Sequence, residues 1–295
     1  MSTVAGLERL PYELLLRTFR HLNAHDDYSL PRVALASRAV HGAATDVLYH
    51  SVAIDTERRL RLFAYLLDGE TAPGSPLKLV RHLSLWTDYD GWQRKQAGRI
   101  VDACPNLRSV QARASILTRH CASKRSYGTA FVWMVATDWD RFQLCGTPRT
   151  GMDFTRTTRL HVHWLDYLRF AEHPLALFTA YAFPNLRALS GGLNVDLANK
   201  SNAEFFVCVS CVLLDLPRIE RVTYLVHHDQ LHNCAVLQVC ADDRLYVKAH
   251  DFAGDMDEAL ALWLDASRGV RNVWNDGVPV MSLLAPARGQ SVVRN

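Results

Sequence analysis

Cys104-Pro105-Asn106-Leu107-Arg108-Ser109-Val110-Gln111-Ala112 enters through a Pro-Asn turn and then places apolar residues at Leu107, Val110 and Ala112. The alternation at its end predicts a short strand, and the Pro-Asn pair predicts the turn that starts it. The same pattern recurs at Val80, Leu83 and Leu85, and at Ile219, Val222 and Tyr224. Shortened copies stand at Leu160 and Val162, Leu186 and Leu189, and Val270 and Val273. Leu237 with Val239, or Leu245 with Val247, are the candidates for filling the last gap. Val80 to Leu107 spans 27 residues (107 − 80) and Leu186 to Ile219 spans 33 (219 − 186), and the wider gaps hold two or three such steps.

Helical patterns precede these strands over residues 92–104, 174–182, 203–214 and 256–264. One strand and one helix per step of about 26 residues predicts a parallel sheet with helices outside it. The expected body is therefore an irregular, leucine-rich-repeat-like α/β solenoid over residues 79–295. A single α/β domain whose strands merely begin after Pro turns stays open as the plainer alternative. An aromatic patch at Phe131, Trp133, Trp139 and Phe142, with Asp138 and Asp140, reads as core or as part of a binding surface.

Upstream the pattern changes. Leu7, Leu10, Leu14, Leu15, Phe19 and Leu22 recur at helical steps, with Pro11 placed where a helix begins. A second helical pattern covers Leu30, Val33, Ala34, Ala36 and Ala39, and a third runs from about Ala43 to Tyr49, with Val52 and Ile54 as an extended exit. A unit of about fifty residues is marginal alone, so it should pack on a partner or a larger body. Residues 55–78 read as a connecting helix over 57–67 followed by a Pro/Gly loop.

Composition narrows the classes. The 295 residues, 49% hydrophobic and 21% charged, are those of a globular chain. The longest apolar stretch, residues 205–214, is too short to span a bilayer, and residues 1–20 do not read as a signal peptide. A net charge of +3 gives no reason to expect nucleic acid, although only five of the 33 basic residues are Lys. Seven scattered Cys suit reduced thiols in an intracellular protein, cytoplasmic or nuclear. Asn199-Lys200-Ser201 matches a glycosylation acceptor, a pattern common by chance.

No phosphate loop, nucleophile elbow, dinucleotide fingerprint or His-Glu-x-x-His is present, so no enzyme activity is expected. Cys208, Cys211, His227 and His232 fall within zinc-finger spacing, but the cysteines sit in an apolar segment without a polar knuckle. A solvated loop accounts for His227, His228, His232 and Cys234. Neither a metal nor another cofactor is expected.

Residues 10–22, with Leu10-Pro11, Glu13-Leu14-Leu15, Phe19 and Leu22, resemble the first half of an F-box. Leu30 to Val33, Leu35-Ala36-Ser37-Arg38, and Leu48-Tyr49 with Val52 resemble its second half, so the likeness covers residues 7–54. Thr18 and Ala36 depart mildly from the family pattern. The arrangement downstream is similar to fungal F-box proteins with degenerate leucine-rich repeats. The resemblance implies a substrate receptor of an SCF-type cullin-RING ubiquitin ligase, docking on a Skp-type adaptor and, through it, the cullin complex. It assigns Leu10, Pro11, Leu14, Leu15, Phe19, Leu22, Val33, Leu35, Ser37 and Leu48 to adaptor contact or to holding that surface. The C-terminal body would hold a protein substrate through variable strand positions: Arg81, Trp86, Arg108, His161, His163, Arg187 and Arg221. Their Arg, His and Trp content suits an acidic or aromatic-containing segment. An F-box scaffold outside the ligase, and an unrelated α/β enzyme with a helical N-terminus, stay open as alternatives.

Overall fold

Strands in this chain begin at a backbone device that repeats. At each of four turns one carbonyl accepts from two successive N–H groups of the next turn. The oxygen of His50 receives Arg81 and His82 at 3.1 and 3.0 Å, and that of Arg81 receives Arg108 and Ser109 at 2.6 and 3.1 Å. Thr158 receives Arg187 and Ala188, and Arg187 receives Glu220 and Arg221, in the same way. The Pro-Asn motif adds a side-chain tie, Asn106 Nδ2 donating to Lys78 O at 2.8 Å. The computed structural model describes residues 10–25, 29–35, 37–68, 75–85, 91–113, 116, 131–135, 156–163, 183–193, 195–250, 256–268 and 273–284. The fold mixes helices and strands, and the chain divides into two compact units, residues 1–112 with 260–271, and residues 113–259 with 272–295.

The first unit opens with three helices, α1 (Tyr12–His25), α2 (Ser29–Ala34) and α3 (Arg38–Leu48). Pro11 starts α1: its carbonyl accepts from the N–H groups of Leu14 and Leu15, and its missing N–H costs nothing where no helical carbonyl precedes it. The helix expected from about Ala43 begins five residues earlier, at Arg38, where the Ser37 carbonyl accepts from His41 N. Ala39 therefore belongs to α3 rather than to the second helix. Leu15, Phe19, Ala34, Val40, Ala43, Ala44 and Val47 form a core within these helices. The Tyr12 hydroxyl donates to the Asp46 carboxylate, tying α1 to α3, and that bond pushes the phenol up to about 12.

Next come β1 (Ser51–Ile54), α4 (Glu57–Asp68), β2 (His82–Leu85), α5 (Gly91–Ala103) and β3 (Ser109–Arg113). The strands are parallel and in sequence order, with Ser51 opposite His82 and His82 opposite Ser109. Ile54, Leu83, Leu85, Val110 and Ala112 are buried on one face, as the period of two requires. Leu60 and Leu67 of α4 and Ile100 and Val101 of α5 are buried as well.

In the second unit β4 (Phe131–Val135), β5 (Arg159–Val162), β6 (Ala188–Leu193), β7 (Arg221–Val226) and β8 (Leu245–Ala249) run parallel in sequence order. Between β6 and β7 lies α6 (Lys200–Leu214). Its N-cap is Asn199, whose side chain accepts from Ser201 N and Asn202 N, so the glycosylation-like triplet has a structural role in starting this helix. Tyr224 of β7 is fully buried against Phe206, and its hydroxyl pairs with Ser210 Oγ at 2.8 Å. The C-terminal end of α6 is held by Arg244, which donates to Leu214 O at 2.9 Å and Ile219 O at 3.0 Å while paired with Asp242.

Three expectations change here. The loop expected around His227 to Cys234 and the strand candidate at Leu237 and Val239 fall in one 3₁₀ helix, His228–Cys240, so β8 supplies the missing copy. Val273 of the last copy is not in a strand, since residues 273–275 form a turn and β9 (Val278–Pro279) pairs antiparallel with β8; Val270 lies outside the described residues. The third is β4, a strand that the repeat pattern does not include. The helix α7 (Met256–Arg268) follows β8, and its residues from Leu260 onward belong to the first unit, where Ser267 Oγ meets Ser51 Oγ at 3.3 Å. The helix expected at 174–182 and the side chains of Trp133, Trp139 and Phe142 lie outside the described residues. Among the described residues no helix is long and apolar enough to cross a membrane.

Candidate functional site

The three N-terminal helices sort the ten residues expected at an adaptor surface into layers. Leu15 and Phe19 are buried, at 4% and 0% exposure, and support the unit from within rather than touching a partner. Leu10, Leu22, Val33 and Leu48 pack half-buried against that core, and Ser37 is also half-buried. Pro11, Leu14 and Leu35 are exposed, Leu14 at 47% and Leu35 at 85%. Burying a fully exposed leucine gains about 1.5–3 kcal/mol, so Leu35 would gain most of that and Leu14 about half if a partner covered them.

The seven residues expected at a substrate surface separate differently. Arg81 and Arg108 belong to the first unit, Arg108 exposed and Arg81 half-buried with its guanidinium on Asn106 O at 3.3 Å. Trp86 lies outside the described residues. In the second unit His161 and His163 are buried, at 0% and 1% exposure, which corrects their placement on an open face. For His161 the reason is internal pairing along the strand register. His161 Nδ1 bonds Ser190 Oγ at 2.7 Å across β5 and β6, and burial drives its pKa well below the ordinary value. The first unit repeats the device: His82 Nδ1 meets Ser109 Oγ at 2.7 Å, and Ser84 donates to Gln111 Oε1 at 2.7 Å. Polar side chains are thus paired in rows along adjacent strands, and His161, Ser190, Ser84 and Gln111 are buried with their partners.

Arg187 and Arg221 lie together at the starts of β6 and β7, joined by Arg159 at the start of β5, which the sequence reading left out although it precedes Leu160 as Arg221 precedes Val222. These side chains line a cavity of about 410 Å³ with Ala188, Glu220 and Trp274. Arg187 pairs with Glu220 at 3.1 Å, the Arg159 guanidinium lies 5.6 Å from the Trp274 ring centroid, and that of Arg221 lies 3.6 Å from the Tyr246 ring centroid. Burial lowers the pKa of Arg221, with Tyr246 and Asp276 acting in the opposite sense.

The zinc-like spacing resolves into separate places. Cys208 and Cys211 are exposed on α6, with Cys211 Sγ 3.8 Å from Cys240 Sγ, while His227 Nδ1 pairs with Asp229 at 2.7 Å. Among the described residues no three His, Cys, Asp or Glu side chains group closely enough to hold a metal ion. Comparison with protein families, curated proteins and solved structures returns no match for this chain.

Proposed function

We propose that the chain is an F-box substrate receptor of an SCF-type ubiquitin ligase, with an N-terminal module that docks on a Skp-type adaptor and a leucine-rich-repeat-like body that holds a protein substrate. The observation that carries this reading is the three-helix unit with a core of its own and two leucines, Leu14 and Leu35, left in water. A unit whose own core is closed has no internal use for such side chains, and a partner covering them gains their burial. The recurrent two-into-one carbonyl at His50, Arg81, Thr158 and Arg187 supports the repeat reading of the body, because it marks equivalent positions 31 (81 − 50) and 29 (187 − 158) residues apart within each pair. On this reading the protein contributes proximity rather than chemistry, raising the local concentration of a substrate lysine beside the transfer machinery.

The test is co-purification of the intact chain with adaptor and cullin, for wild type and for a Leu14→Glu, Leu35→Glu double variant. Both positions are exposed, so the variant keeps its fold. The wild type retains adaptor and cullin, and the variant loses both. Adaptor binding unchanged in folded variant refutes the assignment, and adaptor without cullin makes the protein a scaffold instead.

A further inference from the structure

We propose that Cys211 and Cys240 are a reversible oxidation site, which a peroxide converts to a disulfide fastening the 3₁₀ helix to α6. The site stands whether or not the chain docks on an adaptor.

Placement is the first argument. Cys240, the last residue of the 3₁₀ helix, sets its sulfur against one turn of α6, 3.8 Å from Val207 O and 3.8 Å from Cys211 Sγ. A disulfide needs its sulfurs about 2.0 Å apart, so about 1.8 Å remains (3.8 − 2.0), a distance that rotation about the two Cα–Cβ bonds can close. Both residues belong to the second unit. The other cysteine of the 3₁₀ helix, Cys234, is fully buried, and its sulfur lies 3.6 Å from Gln230 O, a carbonyl of its own helix.

Unequal exposure is the second. Cys211 is exposed, so a small oxidant reaches it, whereas Cys240 is half-buried. Burial pushes the Cys240 thiol up to about 12, and the sulfur of Cys211 adds to the effect through its hydrogen bond and its charge. Cys240 is therefore held as a thiol at neutral pH and does not itself attack an oxidant, because the thiolate is the nucleophile. The two sulfurs thus take different parts. Cys211 attacks hydrogen peroxide, the O–O bond breaks, and Cys211 becomes a sulfenic acid with release of one water. In that form Cys211 has no thiolate charge, so one of the causes holding Cys240 protonated is gone. The Cys240 sulfur then attacks that of Cys211. The S–S bond forms as the S–O bond breaks, and the oxygen leaves with the Cys240 proton as a second water. The two thiols lose two electrons between them, and one peroxide is reduced to two waters. A small dithiol reverses the bond, since the exposed Cys211 side leaves it open to attack.

The bond closes a loop of 29 residues (240 − 211), β7 included, and so removes freedom from the unfolded chain. The test treats the reduced full chain with hydrogen peroxide, blocks the remaining thiols with an alkylating agent, and maps cross-links by mass spectrometry of the digest. The peptide pair joined through Cys211 and Cys240 is the main product, it disappears on treatment with dithiothreitol, and the oxidised protein melts about 5 °C above the reduced one. Cys208→Ser, an exposed change one turn away, leaves the bond, and Cys211→Ser, also exposed, abolishes it. Cys240→Ser stops the sequence half-way, with Cys211 left as a sulfenic acid that dimedone labels, whereas the wild type loses that label as the disulfide forms. The proposal is overturned if the Cys211 to Cys240 link is a minor product, if Cys208 pairs with Cys211 instead, or if the link forms in equal yield in denaturing urea, where the fold no longer sets the two sulfurs together. An oxidised chain that melts no higher than the reduced one overturns it too, as does dimedone labelling of the wild type equal to that of Cys240→Ser.

Discussion

Lowering the pH should destabilise the first unit through one imidazole, His82. Burial pushes its pKa from the ordinary 6.5 down to about 3, and the charges of His50, Arg108 and Arg81 act in the same direction. The His50 ring lies 4.9 Å away, and Nδ1 is held by Ser109 Oγ at 2.7 Å. The folded state keeps this ring neutral down to about pH 3, whereas the unfolded chain protonates it below 6.5. Between those values the unfolded state binds the proton and the folded state does not. The stabilisation is therefore complete above pH 6.5 and shrinks as pH falls, by about 1.4 kcal/mol per pH unit. From pH 7.5 to 5.0 the loss from this one residue is about 2 kcal/mol. Urea unfolding followed by far-UV circular dichroism, at both pH values, on wild type and on His82→Asn reads it directly. Asparagine can keep the bond to Ser109 without titrating. Wild type should lose about 2 kcal/mol more than the variant over that interval. Equal losses in the two proteins would mean that His82 is already charged or is hydrated in the folded state, and the argument from burial would fail.

Two further outcomes concern the second unit. Replacing Arg244 with Ala removes the donors to Leu214 O and Ile219 O and the partner of Asp242, whose pKa Arg244 holds below the ordinary value, and should cost about 2 kcal/mol in urea unfolding at pH 7. Arg244→Lys, with one compact head in place of a fork, should recover less than half of that. Ala241 closes the 3₁₀ helix with φ +46° and ψ +38°, left-handed values that a Cβ disfavours. Ala241→Gly should therefore raise stability by about 0.5 kcal/mol in the same assay, the relieved strain exceeding the entropy glycine adds to the unfolded chain.

The strands that follow a Pro or polar turn were legible because alternation and turn chemistry coincide there, as at Leu107 to Ala112 and Ile219 to Tyr224. The turn at Val273 was not, since a buried apolar residue reads the same whether it lines a strand or, as here, sits in a turn beside Trp274, whose ring lies near Arg159. The 3₁₀ helix did leave a trace. Leu231, Cys234, Leu237 and Cys240 recur every three residues, the period of that helix rather than of a loop. The interior polar rows left none: His161 reads as a residue of the open strand face until the strand register sets it beside Ser190. At the N-terminus the helical period placed Leu15 and Phe19 on an apolar face, but only the packed structure tells those that fill the core from Leu14 and Leu35, which do not. Arg159 precedes Leu160 and so lies outside the positions between the apolar residues of that copy, where the strand pattern marks no side chain.

The carbonyl that takes two N–H groups at each strand start belongs to the main chain, so it is indifferent to what the side chain is. His50, Arg81, Thr158 and Arg187 have nothing in common chemically, yet each performs the same task. Sequence at these turns is therefore free to drift, with one restriction: proline at a donor position deletes an N–H and opens the junction. A lineage of such chains would diverge until no residue pattern linked its members, while the spacing of the turns stayed fixed and proline stayed out of eight particular places: 81, 82, 108, 109, 187, 188, 220 and 221.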